Sequence, residues 1–254
     1  MIYSQNPHRP VVSQRSLALA ALLLCPLMAH AGPPFITDDP EPVEYQHWEV
    51  YGASQNIKTN NGWSGTGPHV EVNYGVIPEM QLHVILPMAY AAPSQGPNHY
   101  GYGDTELGLK YRFLKESDYF PQVGVFPLLE IPTGNANEGL GTGHLQIFLP
   151  LWAQKDFGKW TIYGGGGYDI NPGGANRNWV FTGVVAQYQL LENLALGGEL
   201  YNRTSPQVGL PDDTAFNLGG ILDFNEHTHL LFSAGRSIRG PTSFQTYLAL
   251  QFTF

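Results

Sequence analysis

The sequence predicts an all-β fold: a transmembrane antiparallel β-barrel of about twelve strands, with short periplasmic turns and longer outside loops. Three observations carry that prediction. The last eleven residues place Phe244, Thr246, Leu248, Leu250, Phe252 and Phe254 on one face and Gln245, Tyr247, Ala249, Gln251 and Thr253 on the other, a period of two that suits a strand with lipid on one side and water on the other. Connections between such segments alternate between tight polar turns and longer loops. Beyond residue 31 no apolar run is long enough for a transmembrane helix, so a membrane span has to be a closed barrel.

Taken in chain order, residues 1–31 read as a secretory leader. Arg9 and Arg15 precede an apolar run from Leu17 to Met28 that Pro26 interrupts, and Ala29-His30-Ala31 offers a small-residue cleavage site before Gly32. Cys25 lacks the small neighbours of a lipoprotein acylation site and belongs to that leader. Residues 32–45 are too rich in proline for a strand, and they are expected to form an ordered segment tucked into or beneath the barrel, with Asp38 and Asp39 as its candidate plug residues. The barrel itself is expected over 46–254, and its strands near 46–57, 67–76, 80–90, 104–115, 119–131, 144–154, 159–170, 178–190, 194–203, 214–224, 228–238 and 243–254. Tight turns fall at Ile77-Pro-Glu79, Glu116-Ser-Asp118, Asp156-Phe-Gly158, Leu191-Glu-Asn193 and Asn225-Glu-His227. With both barrel ends periplasmic, every one of these turns is periplasmic too.

Side-chain alternation gives the two faces. Leu107, Leu109, Tyr111 and Phe113 alternate with Glu106, Gly108, Lys110 and Arg112; Leu82, Val84, Leu86 and Met88 alternate with Gln81, His83, Ile85 and Pro87. The same phase points Leu196, Leu200, Phe216, Leu218, Leu222 and Phe224 outward, with Glu199, Asn217 and Asp223 inward. The inward charges are then Glu49, Glu71, Glu106, Glu130, Asp169, Glu199 and Asp223 against Lys110, Arg112 and Arg203. Such groups have to pair with each other or line a hydrated passage, because burying them alone is costly. Arg236 is the exception, in phase with outward Leu230 and Phe232 and placed to meet a lipid headgroup or lipopolysaccharide phosphate. Pro87, Pro121, Pro127 and Pro150 fall inside predicted strands and point to local irregularity. Trp48, Trp63, Tyr90, Tyr119 and Trp179 lie near strand ends, where aromatics form either interfacial girdles or a ligand path, and the sequence does not divide them between the two.

Several function classes are excluded or weakened. Losing the leader removes Arg9 and Arg15 but no acid, leaving ten Lys and Arg against all 21 acids, a formal charge of −11 and no basic footprint for nucleic acid. The remainder has no cysteine and hence no disulfide or thiol chemistry. His69, Glu71 and His83 share the lumen face of neighbouring strands, yet no serine joins them, and they read as lumen lining rather than as a catalytic or metal site. Gly164–Gly167 lacks the Lys-Ser/Thr of a phosphate loop and instead leaves room for something packed against the inner wall. No catalytic residue, metal ligand or cofactor is assigned.

The stretches GPPFITDDPEPVEYQHWEVY, GYGDTELGLKYRF and LPLWAQKDFGKWTIYGGGGY, with the aromatic C-terminus, together resemble the transporter-like outer-membrane proteins grouped under the MetA pathway of phenol degradation. That resemblance implies uptake of hydrophobic aromatic compounds and assigns no ligand residues. The expected function is an outer-membrane channel for small, hydrophobic or aromatic molecules in a Gram-negative bacterium, with inward Trp152, Tyr163, His83 and Glu130 touching the solute. A barrel plugged by its own charges and serving a structural or interaction role is the alternative, and a lipid-modifying barrel enzyme the third. Expected partners are the small-molecule solute, outer-membrane lipids and lipopolysaccharide, and the barrel-insertion machinery reading the strand that ends in Phe254.

Overall fold

A sheet that crosses lipid has to satisfy every backbone N–H and C=O within itself, which requires that its first and last strands pair. The computed structural model describes residues 34–254; the predicted leader lies outside the described residues. Fourteen strands follow in order: β1 (Trp48–Thr59), β2 (Gly62–Ile77), β3 (Met80–Pro93), β4 (His99–Tyr102), β5 (Thr105–Leu114), β6 (Gln122–Val125), β7 (Leu128–Ile131), β8 (Gln146–Phe157), β9 (Trp160–Ile170), β10 (Trp179–Leu191), β11 (Leu194–Arg203), β12 (Asp213–Asn225), β13 (Thr228–Arg239) and β14 (Thr242–Thr253). The strand β1 pairs antiparallel with β14 from Glu49↔Thr253 to Thr59↔Thr242, closing the barrel. Both β4 and β5 pair with β3, and both β6 and β7 pair with β5 and β8. Each of these two couples is one stave broken once, so the wall has twelve staves.

The breaks have local causes. Between β4 and β5, Asp104 leaves the ladder and caps the loop 132–145: its Oδ1 accepts from the Gly134 N–H at 2.8 Å and its Oδ2 from the N–H and hydroxyl of Thr142 at 2.6 and 2.8 Å. Between β6 and β7, Pro127 has no N–H to donate. Opposite it, Pro150 lies between Phe148, which pairs with Leu128, and Leu151, which pairs with Val125. Pro121 precedes β6 rather than lying within it, and Pro87 stays in β3 beside a register shift in β2.

The predicted tight turns all fall at one end of the barrel, the periplasmic end in barrels of this kind. There Glu79, at φ 68°, accepts from Arg112 Nε at 2.6 Å and pairs with Lys115 at 2.7 Å. Burial works to raise its pKa, but the hydrogen bonds from Lys115 and Arg112 outweigh burial and hold the carboxyl below its ordinary range. At the other end the connections are longer, with two corrections. The first and last outside connections shrink to 60–61 and 240–241, because β1, β2, β13 and β14 each run further than their alternation predicts.

The two faces are inverted relative to a soluble protein. Leu86, Leu149, Leu200, Leu218, Leu248 and Leu250 are exposed on the outside, whereas Asn73, Gln81, Gln122, Gln154, Asn217 and Gln251 are buried inside. Trp48 packs on Tyr74 at 4.2 Å and Trp160 on Tyr188 at 4.9 Å at the turn-side rim. Trp179 faces inward instead: it pairs with inward Asp169 and stacks on Phe148 at 5.6 Å, which makes it part of the lumen mouth. An apolar exterior of this kind is a lipid-facing surface, and the fold is that of an outer-membrane barrel. Replacing the mid-strand outward residue Leu218 with Arg is expected to lower the folding free energy in phospholipid vesicles by about 2–4 kcal/mol, read from urea titration, while Leu218→Ile leaves it nearly unchanged.

Candidate functional site

The lumen is filled first by the chain's own start. Between Pro34 and Val43 prolines at 34, 40 and 42 keep the backbone out of any ladder, so its N–H groups need other acceptors once buried. The wall supplies them. Glu199 of β11 accepts from the Thr37 N–H at 2.5 Å and the Ile36 N–H at 3.3 Å, and Asn217 of β12 donates to the same carboxylate at 2.5 Å. Gln81 of β3 accepts from the Val43 N–H at 2.9 Å, and the Ser233 hydroxyl of β13 donates to the Pro34 carbonyl at 2.6 Å.

Charge completes the attachment. Lys110 Nζ of β5 lies 3.0 Å from Asp38 and 3.6 Å from Asp39, and 5.0 Å from the centre of the Phe126 ring. Glu41 receives Arg112 of β5 at 3.4 Å, Gln122 of β6 at 3.2 Å and Gln154 of β8 at 3.4 Å. Phe35 packs with Tyr163 and Val185 in an apolar contact on the inner wall. Two glycines admit the segment: a Cβ at Gly183 would overlap Thr37 Oγ1, and one at Gly124 would meet Pro40 at 3.1 Å.

The other inward charges form separate clusters. His83 Nε2 lies 2.9 Å from Glu106, while its Nδ1 lies 2.7 Å from Asn73 Oδ1 and 3.6 Å from Glu71. His69, expected beside them, makes its hydrogen bond to Thr66 at 2.7 Å instead. Glu130 faces Glu106 across β5 and β7. Glu49 accepts from the Tyr51 hydroxyl at 2.7 Å, and Asp223 lies 2.7 Å from His229 Nδ1. Arg203 lies 3.9 Å from Asp213 and 5.9 Å from the Trp179 ring, and Asp169 is buried on β9 opposite Trp179. Among the described residues no group of three or more His, Asp or Glu has metal-holding geometry.

Toward the loops the inner wall becomes aromatic. Trp152 and Phe148 of β8, Trp179 and Phe181 of β10, Tyr201 of β11 and Phe126 form one cluster, with Phe181 stacked on Tyr201 at 5.6 Å and edge-on to Trp152 at 6.1 Å. The glycine run on β9 serves this tier: a Cβ at Gly165 would meet the Trp152 ring and one at Gly167 the Phe148 ring. What packs on those glycines is therefore β8's own aromatics, and the room for the N-terminal segment comes from Gly183 and Gly124. Phe148, Phe181, Tyr201 and Gln122 were passed over in the sequence, and Gln81 and Asn217 were given the inward face but no role, because a single neutral or aromatic residue does not stand out as a charge does.

Neither a protein-family model nor a curated protein matches the chain. Solved structures do. The barrel is similar to an outer-membrane channel from Pseudomonas putida F1, with a TM-score of 0.71 at 19% identity over 89% of this chain and 100% of that one. It is also similar to the KdgM porin solved in complex with oligogalacturonate, at 0.56 and 11% identity over 82% and 99% of the two chains. The NanC porin follows at 0.54 and 10% over 81% and 98%. These likenesses establish the outer-membrane barrel fold; the resemblance to the MetA-pathway group stands on the residues quoted for it.

A test isolates the seat of the N-terminal segment. Gly183→Ala is expected to destabilise the segment's seat by about 1–3 kcal/mol through overpacking and to make residues 34–42 cleavable by added protease in intact vesicles. Thr37→Ala in the same chain, which removes the overlapping atom, is expected to restore protection.

Proposed function

We propose that the protein is an outer-membrane channel for small, hydrophobic or aromatic molecules, with residues 34–43 acting as a plug that narrows the passage. The observation that carries this reading is the aromatic tier of Phe148, Trp152, Trp179, Phe181 and Tyr201 lying on the loop side of that segment. Flat apolar solutes stack on such rings with about 0.5–1.5 kcal/mol per pair beyond the burial of area, which concentrates them at the mouth. Trp152 Nε1 is buried in the tier without a protein hydrogen-bond partner, a donor suited to a phenolic or carbonyl oxygen. Beside the tier the lumen is acidic, with Glu71 and Glu106 at His83 and Glu130 paired across from Glu106 toward the loop ends of β5 and β7, and that lining disfavours anions. The likeness to an outer-membrane channel and two porins supports passage as the role of the fold.

The plug sets what flows in the resting protein. It is held by hydrogen bonds and ion pairs to β3, β5, β6, β8, β11 and β13, so it closes the lumen to large polar solutes. The exposed Phe254 ring, whose backbone pairs with Trp48 at 2.7 and 3.1 Å, is the proposed signal for the insertion machinery.

Deleting residues 34–42 is expected to raise single-channel conductance in planar bilayers several-fold, roughly as expected for removing a constriction from a twelve-stranded lumen; an unchanged conductance would sink the plug. Phe148→Ala with Phe181→Ala is expected to slow aromatic solute uptake into vesicles about tenfold, the loss of roughly two ring contacts, and to leave ion conductance unaltered. A fall in both would mean that the tier is only structural.

A further inference from the structure

One sector of the lipid-facing wall is polar. On the loop-side half of β14, β1, β2 and β3, Thr246 pairs with Asn56, Asn56 with Gly65 and Gly65 with Tyr90, one row across four strands. Paired residues point to the same side of a sheet, and this row shares the outward parity of Leu248 and Leu250 on β14. Asn56 Nδ2 donates to Thr246 Oγ1 at 3.2 Å and to Ser54 Oγ at 3.3 Å. The Tyr90 hydroxyl reaches across side-chain-free Gly65 to donate to Asn56 Oδ1 at 2.7 Å. Nothing in a barrel's own stability calls for such a network on the lipid side, where polar groups are costly.

The next row toward the loops carries the charge. Phe244 pairs with Lys58 and Lys58 with Trp63, and Arg236 follows Gly235, whose partner is Gln245, which brings Arg236 beside Phe244. Arg236 and Lys58 are exposed and two strand spacings apart, about 10 Å, so two long side chains can close on one group between them. Lys58 Nζ lies 5.3 Å from the Trp63 ring centre, and Trp63 meets Phe244 edge-on at 6.3 Å. Neither cation has an ion pair among the described residues, whereas toward the opposite rim Lys115 and Arg112 pair with Glu79 and Lys155 with Glu116. In a chain this acidic, unpaired cations over an apolar aromatic floor, just beyond a polar hydroxyl and amide row, match an amphiphile with an anionic head.

We infer that this strip is a binding site for a phosphorylated glycolipid of the outer leaflet. A lipopolysaccharide phosphate sits between Arg236 and Lys58 beside Phe244 and Trp63, its sugar and amide groups meet Asn56 and Tyr90 one row deeper, and its acyl chains lie against Leu248 and Leu250 below them. Arg and Lys at an interface bind phosphate through charge-assisted hydrogen bonds, and the neutral row adds a preference for a sugar-amide head over a simple phospholipid.

The test uses the full purified barrel in phosphatidylcholine vesicles doped with lipid A, dephosphorylated lipid A or phosphatidylglycerol, with retained lipid counted by native mass spectrometry after extraction. Wild type is expected to retain lipid A, and retention is expected to fall about tenfold or more with dephosphorylated lipid A or in Lys58→Gln with Arg236→Gln, the loss of one or two charge-assisted contacts. Asn56→Leu is expected to lower it about threefold, in keeping with a neutral hydrogen bond, and Lys159→Gln on the opposite rim not at all. Folding of each variant is read from heat-modifiable mobility. Equal retention by the folded double variant, equal retention of phosphatidylglycerol, or a dimer of the protein that the double variant abolishes would overturn the assignment.

Discussion

Pairing of β1 with β14 is the constraint on which the rest depends. Lipid offers no partner for backbone N–H or C=O, so closure is compulsory, and closure creates an interior that belongs to neither lipid nor bulk water. Every polar group that alternation turns inward must then be satisfied there. The lumen's Asn, Gln, Glu and Lys answer that requirement for one another only in part, and the N-terminal segment supplies further partners. Its N–H groups go to Glu199 and Gln81, and its carboxylates to Lys110 and Arg112.

This makes the segment and the wall mutually dependent. Lys110 without Asp38 and Asp39 would be a buried unpaired cation, and Glu199 without Thr37 a buried unpaired anion, each costing several kcal/mol. The same economy divides the lumen. Rings of β8, β10 and β11 gather on one side, those of Phe148 and Trp152 against glycines of β9, while polar networks centred on Asp104, Asn171 and Asp213 line the rest of the loop side. Outside, the same logic run in reverse makes the Asn56–Tyr90 row conspicuous, since polar groups facing lipid need a reason to be there.

Much of the barrel was legible because lipid on one face enforces a strict period of two. Leu218 against Asn217 and Leu200 against Glu199 reveal their faces without knowledge of any neighbour. Strand ends were less legible. The first and last hairpins extend beyond their clear alternation, and nothing in 58–66 marks Gly62 to Thr66 as strand rather than loop. Proline marked trouble correctly at Pro127 and Pro150 but not which of them would break a strand, because that depends on the facing partner. Within the site, charges such as Glu199 and Lys110 announced themselves; their partners did not, since contacts between Thr37 and Glu199 span 162 positions in the chain. Trp179 stayed undivided between girdle and lumen because an aromatic at a strand end suits both equally until its phase is known.

The central claim is that the N-terminal segment sits in the lumen against β10 and restricts passage. It is tested most directly by a disulfide between Phe35→Cys and Val185→Cys, two residues packed in one cluster on the inner wall, in a chain whose single cysteine, Cys25, is replaced by serine. Mild oxidation of the folded barrel in vesicles is predicted to join the two in high yield and to hold conductance at its resting level even under conditions that open the reduced protein. Failure of the pair to cross-link, or a cross-linked barrel that conducts as the segment-deleted protein does, would contradict it.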